Sequence, residues 1–194
     1  MEKRKFAKTF HGALVPFAER RIINMNMEYS ENEVKWIYNN TEYKYEVSEI
    51  EFASDMSQCI YIEIIQDGIY EYRLVDFEGK DVCSYNENSR LKIYDMDGCS
   101  HESNLEDIND ILFLEDRVLV MNKKEEILIY GRNGICNGII KPPFGFIFSR
   151  FCNAKKLETV CQGSIQQADN YGRVDYRFEY DFLTNSWNKK SLAY

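Results

Sequence analysis

The clearest pattern in the chain repeats every second residue. From Val174 to Phe182, Val174, Tyr176, Phe178, Tyr180 and Phe182 alternate with Asp175, Arg177, Glu179 and Asp181. Only a strand sends alternate side chains to opposite faces, so this segment predicts a half-buried strand with a wet side. Tyr43, Tyr45 and Val47 alternate in the same way with Lys44 and Glu46, and Tyr70, Tyr72 and Leu74 with Glu71 and Arg73. Ile127 to Tyr130 predicts a further strand. Cys59 to Ile65 and Val118 to Met121 are more continuously apolar, as expected of strands covered on both faces.

Turn residues punctuate these runs. Asp67-Gly68 separates two apolar stretches, a strong hairpin signal. Glu78-Gly79, Asp97-Gly98 and Asn133-Gly134 separate others. Three segments, YRLVDFEGKDV, LKIYDMDGCS and ILIYGRNGICN, each read strand, polar turn with glycine, strand. YRFEYDFLTNSW repeats the form without the glycine. The expected fold is an all-β antiparallel meander, with a small propeller-like array and a closed barrel or sandwich left as alternatives. At most one or two short helices are expected. Ser103-Asn-Leu-Glu106 fits a capping box ahead of Ile108, Ile111 and Leu112, which predicts a helix over 104–110. Another turn of helix is expected between Phe6 and Leu14.

The segment KPPFGFIFSRF, Lys141 to Phe151, is the most ambiguous. Pro142 and Pro143 lack amide donors and cannot sit in a central strand, so a strand from Ile135 should end there in a stiff link. Gly145 allows a change of direction. Beyond it, strict alternation places Phe146, Phe148 and Arg150 on one side and Ile147, Ser149 and Phe151 on the other. These rings are expected as ordinary core, with a partly exposed aromatic rim around Phe144 as the alternative.

The 194 residues suit a single domain, 1–194, with residues 1–20 a loosely packed N-terminal segment. Aromatic content of 14% and only 3 prolines argue against disorder. The basic opening resembles a signal peptide, but its apolar stretch is short and broken by Pro16, so a cytoplasmic protein is expected. The 6 cysteines show no C-x-x-C spacing and are expected as reduced thiols without metal. The sequon at Asn39-Asn40-Thr41 has no meaning in such a compartment.

Catalytic motifs are lacking. Cys99-Ser-His101-Glu102 is the one place where thiol, imidazole and carboxylate crowd together, and a polar loop explains it. Asp95-Met-Asp97-Gly98 has only part of a calcium loop, and a hairpin turn accounts for it. No phosphate-binding loop or nucleophile elbow occurs. An enzyme is therefore the less favoured reading, and no cofactor is expected.

The net charge of -8 argues against nucleic acid or an anionic membrane as partner. The charge is segregated. Asp95, Asp97, Glu102, Glu106, Asp107, Asp110, Glu115 and Asp116 fall in a span without Lys or Arg, and these eight match the whole net charge. The expectation is a non-catalytic protein-binding module that meets a basic protein through this segment, with Phe144 as an aromatic anchor. Its narrower form is a bacterial inhibitor or immunity-type protein covering a basic toxin or nuclease. The rival is an enzyme or small-ligand carrier whose site, in a barrel mouth or propeller centre, is lined by Tyr and carboxylates.

Overall fold

A computed structural model describes residues 26–88, 90–105, 107–123 and 125–193. Every strand in it pairs antiparallel with its sequence neighbour inside one of four sheets. The first sheet holds β1 (Met27–Tyr29), β2 (Glu33–Tyr38) and β3 (Thr41–Glu46). The second holds β4 (Ile50–Asp55), β5 (Ile60–Gln66), β6 (Ile69–Val75), β7 (Asp81–Asn86), β8 (Arg90–Tyr94) and β9 (Ser100–Asn104). The third holds β10 (Ile108–Leu114), β11 (Arg117–Asn122), β12 (Glu126–Gly131) and β13 (Cys136–Ile140). The fourth holds β14 (Phe146–Asn153), β15 (Glu158–Gly163), β16 (Asp175–Asp181) and β17 (Ser186–Leu192).

Three apolar layers join these four sheets face to face. Val34 and Trp36 of the first sheet pack with Ile60, Ile62 and Ile64 of the second. Tyr61, Leu74, Cys83 and Ile93 of the second pack with Ile111, Phe113, Val118 and Val120 of the third. Leu112, Leu119 and Met121 of the third pack with Phe148, Phe151, Tyr176 and Phe178 of the fourth. Among the described residues no buried apolar layer joins the first sheet to the fourth. Their outer faces are polar instead. Lys44 bridges Glu33 at 3.0 Å on the first, and Lys156 and Lys190 bridge Glu179 at 2.8 and 2.7 Å on the fourth. The architecture is thus an open, propeller-like array of four sheets and not a closed barrel.

The predicted strands are found as β16, β3, β6 and β12, and the inner ones as β5 and β11. Within β16, Tyr176 and Phe178 are buried, whereas Tyr180 is only half-buried beside Trp187 and Phe182. The four echoing segments are hairpins β6–β7, β8–β9, β12–β13 and β16–β17. Three of these are the third and fourth strands of their sheets. The fourth, β8–β9, extends the second sheet outward.

One turn geometry recurs in these hairpins. The Asp76 and Asp95 amides donate to the carbonyls of Lys80 and Cys99, four residues on, and the Gly79 and Gly98 amides donate back to Asp76 and Asp95. The Asp76 and Asp95 carboxylates each take two further amides of their own turns. The same frame closes residues 131–135 and, outside the echoing segments, 169–173. Gly98 at φ +83 and Gly134 at φ +71 occupy its left-handed position, where a side chain is costly. The partial calcium loop at Asp95 is therefore a hairpin turn.

The helix expected over 104–110 is not formed. β9 ends at Asn104, Asp107 takes a left-handed φ of +58, and β10 starts at Ile108. Strand β10 lies between two sheets and is apolar on both faces, with Ile111 and Phe113 on one and Leu112 and Leu114 on the other. That filling mimics helical spacing in the sequence. The one helical turn described, Ile165–Gln167 capped by Ser164, was not foreseen. The turn expected between Phe6 and Leu14, and the segment 1–20, lie outside the described residues.

The proline link behaves as expected up to Gly145, which sits at φ +80. β14 then departs from strict alternation. Its pairing with β15 slips between Phe148 and Arg150, and this bulge brings Phe151 to the same core layer as Phe148.

Candidate functional site

The acidic segment does not form one face. Asp95 and Asp97 lie in the β8–β9 turn at the far edge of the second sheet. Two turn amides, from Cys99 and Asp97, and the His101 ring 3.4 Å away hold the Asp95 carboxyl below its usual range, the Cys99 amide contributing most. Glu102 is exposed on the edge strand β9 and pairs with Lys92 at 3.2 Å. Asp107 pairs with Lys123 at 3.0 Å. Glu115 and Asp116 form the exposed two-residue turn between β10 and β11, both left-handed, and the Glu115 amide donates to Gln58 Oε1 at 3.0 Å. Glu106 lies outside the described residues. The segment therefore has cations close to it in space, although none within it in sequence.

Asp110 is a different kind of residue. It is 8% exposed and sits where the first strands of the third and fourth sheets meet. Its Oδ1 accepts the Ile111 amide at 2.9 Å, and its Oδ2 accepts the Phe151 amide at 2.8 Å. Next to it, Asn109 donates to the Ser149 carbonyl at 2.9 Å. The bulge in β14 and a slip in β10 at the same place leave backbone groups that cannot pair strand to strand, and these two side chains satisfy them. Burial pushes the Asp110 carboxyl up to about 7, against the opposing pull of the two amides and of Arg150. Asp110 clasps two sheets and offers no surface to a partner.

Phe144 is fully exposed, at 101%. Its backbone is held on both sides. The Lys141 carbonyl accepts Trp187 Nε1 at 2.8 Å, and Gly145 is pressed so close to Gln167 that a Cβ there would lie 2.6 Å from its Nε2. The loop that supplies Gln167 also exposes Ile165 and Tyr171, at 79% and 84%. These two escaped the sequence reading, because no periodicity marks a loop.

A second arrangement was also missed. Strand register places Phe52, Glu63, Tyr72 and Tyr85 in one row across β4, β5, β6 and β7. Tyr61 donates its hydroxyl to Glu63 Oε1 at 2.7 Å. The Tyr61 and Tyr72 rings lie 6.3 Å apart, and those of Tyr72 and Tyr85 lie 4.8 Å apart. Burial first, and then the charges of Glu63 and Glu87, push the Tyr72 hydroxyl up to about 12. The signal was present in the sequence: a two-residue Asp67-Gly68 turn pairs Gln66 with Ile69 and so sets Glu63 opposite Tyr72.

No group of His, Cys, Asp and Glu among the described residues is arranged to hold a metal ion. Cys59, Cys83 and Cys161 are buried, Cys99 and Cys136 exposed, and none of the six is in a disulfide. Among the described residues no helix is long and apolar enough to cross a membrane.

No protein-family model matches the chain, and no curated protein matches its sequence. Solved structures of β-propeller-like proteins do resemble it. The N-terminal domain of Nup159 aligns with a TM-score of 0.43 at 10% identity, over 85% of this chain and 57% of that one. HIRA(644-1017) aligns at 0.34 and 9% identity, over 82% and 44%. KlHsv2 with loop 6CD replaced by a Gly-Ser linker aligns at 0.34 and 8%, over 87% and 83%. The chain thus spans little more than half of the first of these and less than half of the second.

Proposed function

We propose that this chain is a non-catalytic protein-binding module that docks a basic protein partner through Phe144. The observation that carries the reading is the state of Phe144: a large apolar ring, wholly in water, on backbone made stiff by Pro142 and Pro143 and held by the bond from Trp187 to the Lys141 carbonyl and by the turn bond from the Phe146 amide to the Pro143 carbonyl. A flexible loop would let such a ring fold back onto the surface. A rigid one pre-pays the ordering cost of an anchor. Ile165 and Tyr171 on the abutting loop enlarge the apolar contact.

The charge of the chain sets the kind of partner. Asp97, Glu115 and Asp116 are exposed on turns and steer a basic protein at long range. Asp110 has no part in this, because it is buried between sheets. The narrower form, an inhibitor or immunity-type protein, adds that the partner is a basic enzyme such as a toxin or nuclease, whose activity falls on binding.

Affinity capture with the wild-type chain and with Phe144→Ala as parallel baits tests the reading. A stoichiometric basic protein held by the first and lost from the second supports it. The Asp97→Asn, Glu115→Gln, Asp116→Asn triple variant should then slow association and flatten its salt dependence. Equal capture by both baits removes Phe144 as anchor, and an association rate indifferent to salt removes the electrostatic half.

A further inference from the structure

We propose that the row Phe52–Glu63–Tyr72 on the second sheet, backed by Tyr61 and flanked by Glu87, is a binding site for an organic cation of the alkylammonium class. The geometry is compact. Cross-strand neighbours have Cβ atoms roughly 4.5–5.5 Å apart, so a carboxylate stands directly between two aromatic rings. The rings are not sealed in the core: Phe52 is 40% exposed and Tyr72 half-buried. Tyr61, itself buried, holds Glu63 in place through its hydroxyl, so the carboxylate is oriented before any ligand arrives.

The charge on this face is one-sided. The row runs Phe52, Glu63, Tyr72, Tyr85, Leu91 and Ser103 from β4 to β9, without a Lys or Arg. Among the described residues neither Glu63 nor Glu87 forms an ion pair. Two other carboxylates of the second sheet are compensated, Glu71 by Arg73 at 2.7 Å and Glu102 by Lys92 at 3.2 Å. Glu87 extends β7 beside Tyr70, its amide donating to the Tyr70 carbonyl at 3.3 Å, and its charge reaches Tyr72.

Aromatic faces attract cations through their quadrupole, and a neighbouring carboxylate adds direct Coulomb attraction. A bulky, weakly hydrated ammonium gains from both at once, because it loses little solvation on entering a half-apolar site. An anion meets the same two groups as repulsion. A neutral ligand of equal shape keeps only the apolar contact. The site lies on the second sheet and is separate from the Phe144 link between the third and fourth.

The test uses the full chain and choline as probe, followed by two-dimensional NMR. Saturable shifts centred on Phe52, Glu63 and Tyr72 are expected, and its uncharged tert-butyl isostere should bind at least about tenfold more weakly. Glu63→Gln should weaken choline binding about tenfold, the loss of one close charge contact. Glu87→Gln, on an exposed position that does not threaten folding, should weaken it severalfold, and Glu102→Gln not at all. A peptide carrying trimethyl-lysine is the second arm. Binding equal to that of choline assigns the site to a free ammonium head group, and much tighter binding at the same residues assigns it to a protein side chain. Shifts that never saturate, equal binding of the neutral isostere, or choline affinity unchanged by both Glu63→Gln and Glu87→Gln would overturn the proposal.

Discussion

The Asp110 carboxylate accepts the Phe151 amide at 2.8 Å across the junction of the third and fourth sheets. A side chain thus completes backbone pairing that two bulged strands cannot complete themselves. The bond is buried, so its protonation state matters to the whole array.

The first prediction concerns pH. Burial holds the folded Asp110 carboxyl at about 7, well above the ordinary aspartate range. The native state therefore binds this proton more tightly than the unfolded chain does. The stability this confers is full below about pH 4 and is lost as pH rises through about 7. Arg150 and Tyr85 are the titratable groups that sense this charge. Denaturation of wild type and Asp110→Asn from pH 4 to 7 should show the wild type losing ground to the variant, by up to about 1.4 kcal/mol per pH unit. A constant difference between the two would show that Asp110 is ionised throughout.

The second contrasts two neighbours in β16. Phe178, 4% exposed and in contact with Phe146, should cost about 3–5 kcal/mol when cut to Ala. Glu179→Ala removes ion pairs to Lys156 and Lys190 on the outer face and should cost no more than about 1 kcal/mol. Equal losses in chemical denaturation would place both residues in the core.

Two glycines separate backbone strain from crowding. Both are left-handed, Gly68 at φ +78 and Gly134 at φ +71. A Cβ on Gly68 meets nothing within 4 Å, whereas one on Gly134 would lie 2.3 Å from His101 Cβ. Gly68→Ala should cost only the left-handed penalty, about 1–2 kcal/mol. Gly134→Ala should cost clearly more, because the β8–β9 hairpin must move away. Matching thermal shifts would mean that this contact is not held in solution.

Thiol chemistry gives a fourth check. Cys99 and Cys136 are exposed and should react rapidly with a disulfide reagent in the native protein. Burial pushes the Cys59 thiol up to about 12 and Cys161 to about 11, and drives Cys83 higher still. These three should react only on unfolding, with all six titrating in denaturant without reductant. Rapid native reaction of more than three thiols would contradict the burial.

The alternation of apolar and polar residues was enough to place β3, β6 and β16, because each has one wet face and the period of two survives in the sequence; β12, apolar on both faces, was placed by its short apolar run before the Asn133-Gly134 turn. Turn chemistry located the repeated Asp-x-x-Gly hairpins for the same local reason: a left-handed position selects glycine whatever lies around it. The proline pair likewise marked where β13 ends, but that Phe144 stays in water while Phe148 and Phe151 enter the core was decided by the fold. Local signals failed where a residue's surroundings come from distant strands. β10, covered by sheets on both faces, read as a helix. The bulge at Ser149 turned Phe151 into the core against the simple alternation. The eight carboxylates formed one run along the chain, yet folding sent Asp110 into a sheet junction, set Lys92 beside Glu102 and Lys123 beside Asp107, and left Asp97 and Asp116 on separate turns. Burial and Coulomb partners are set by three-dimensional neighbours. The sequence by itself therefore determined the strands with one wet face and the glycine turns, and only the packing of sheet on sheet decided the doubly covered strand β10 and which charges and rings remain available to a ligand.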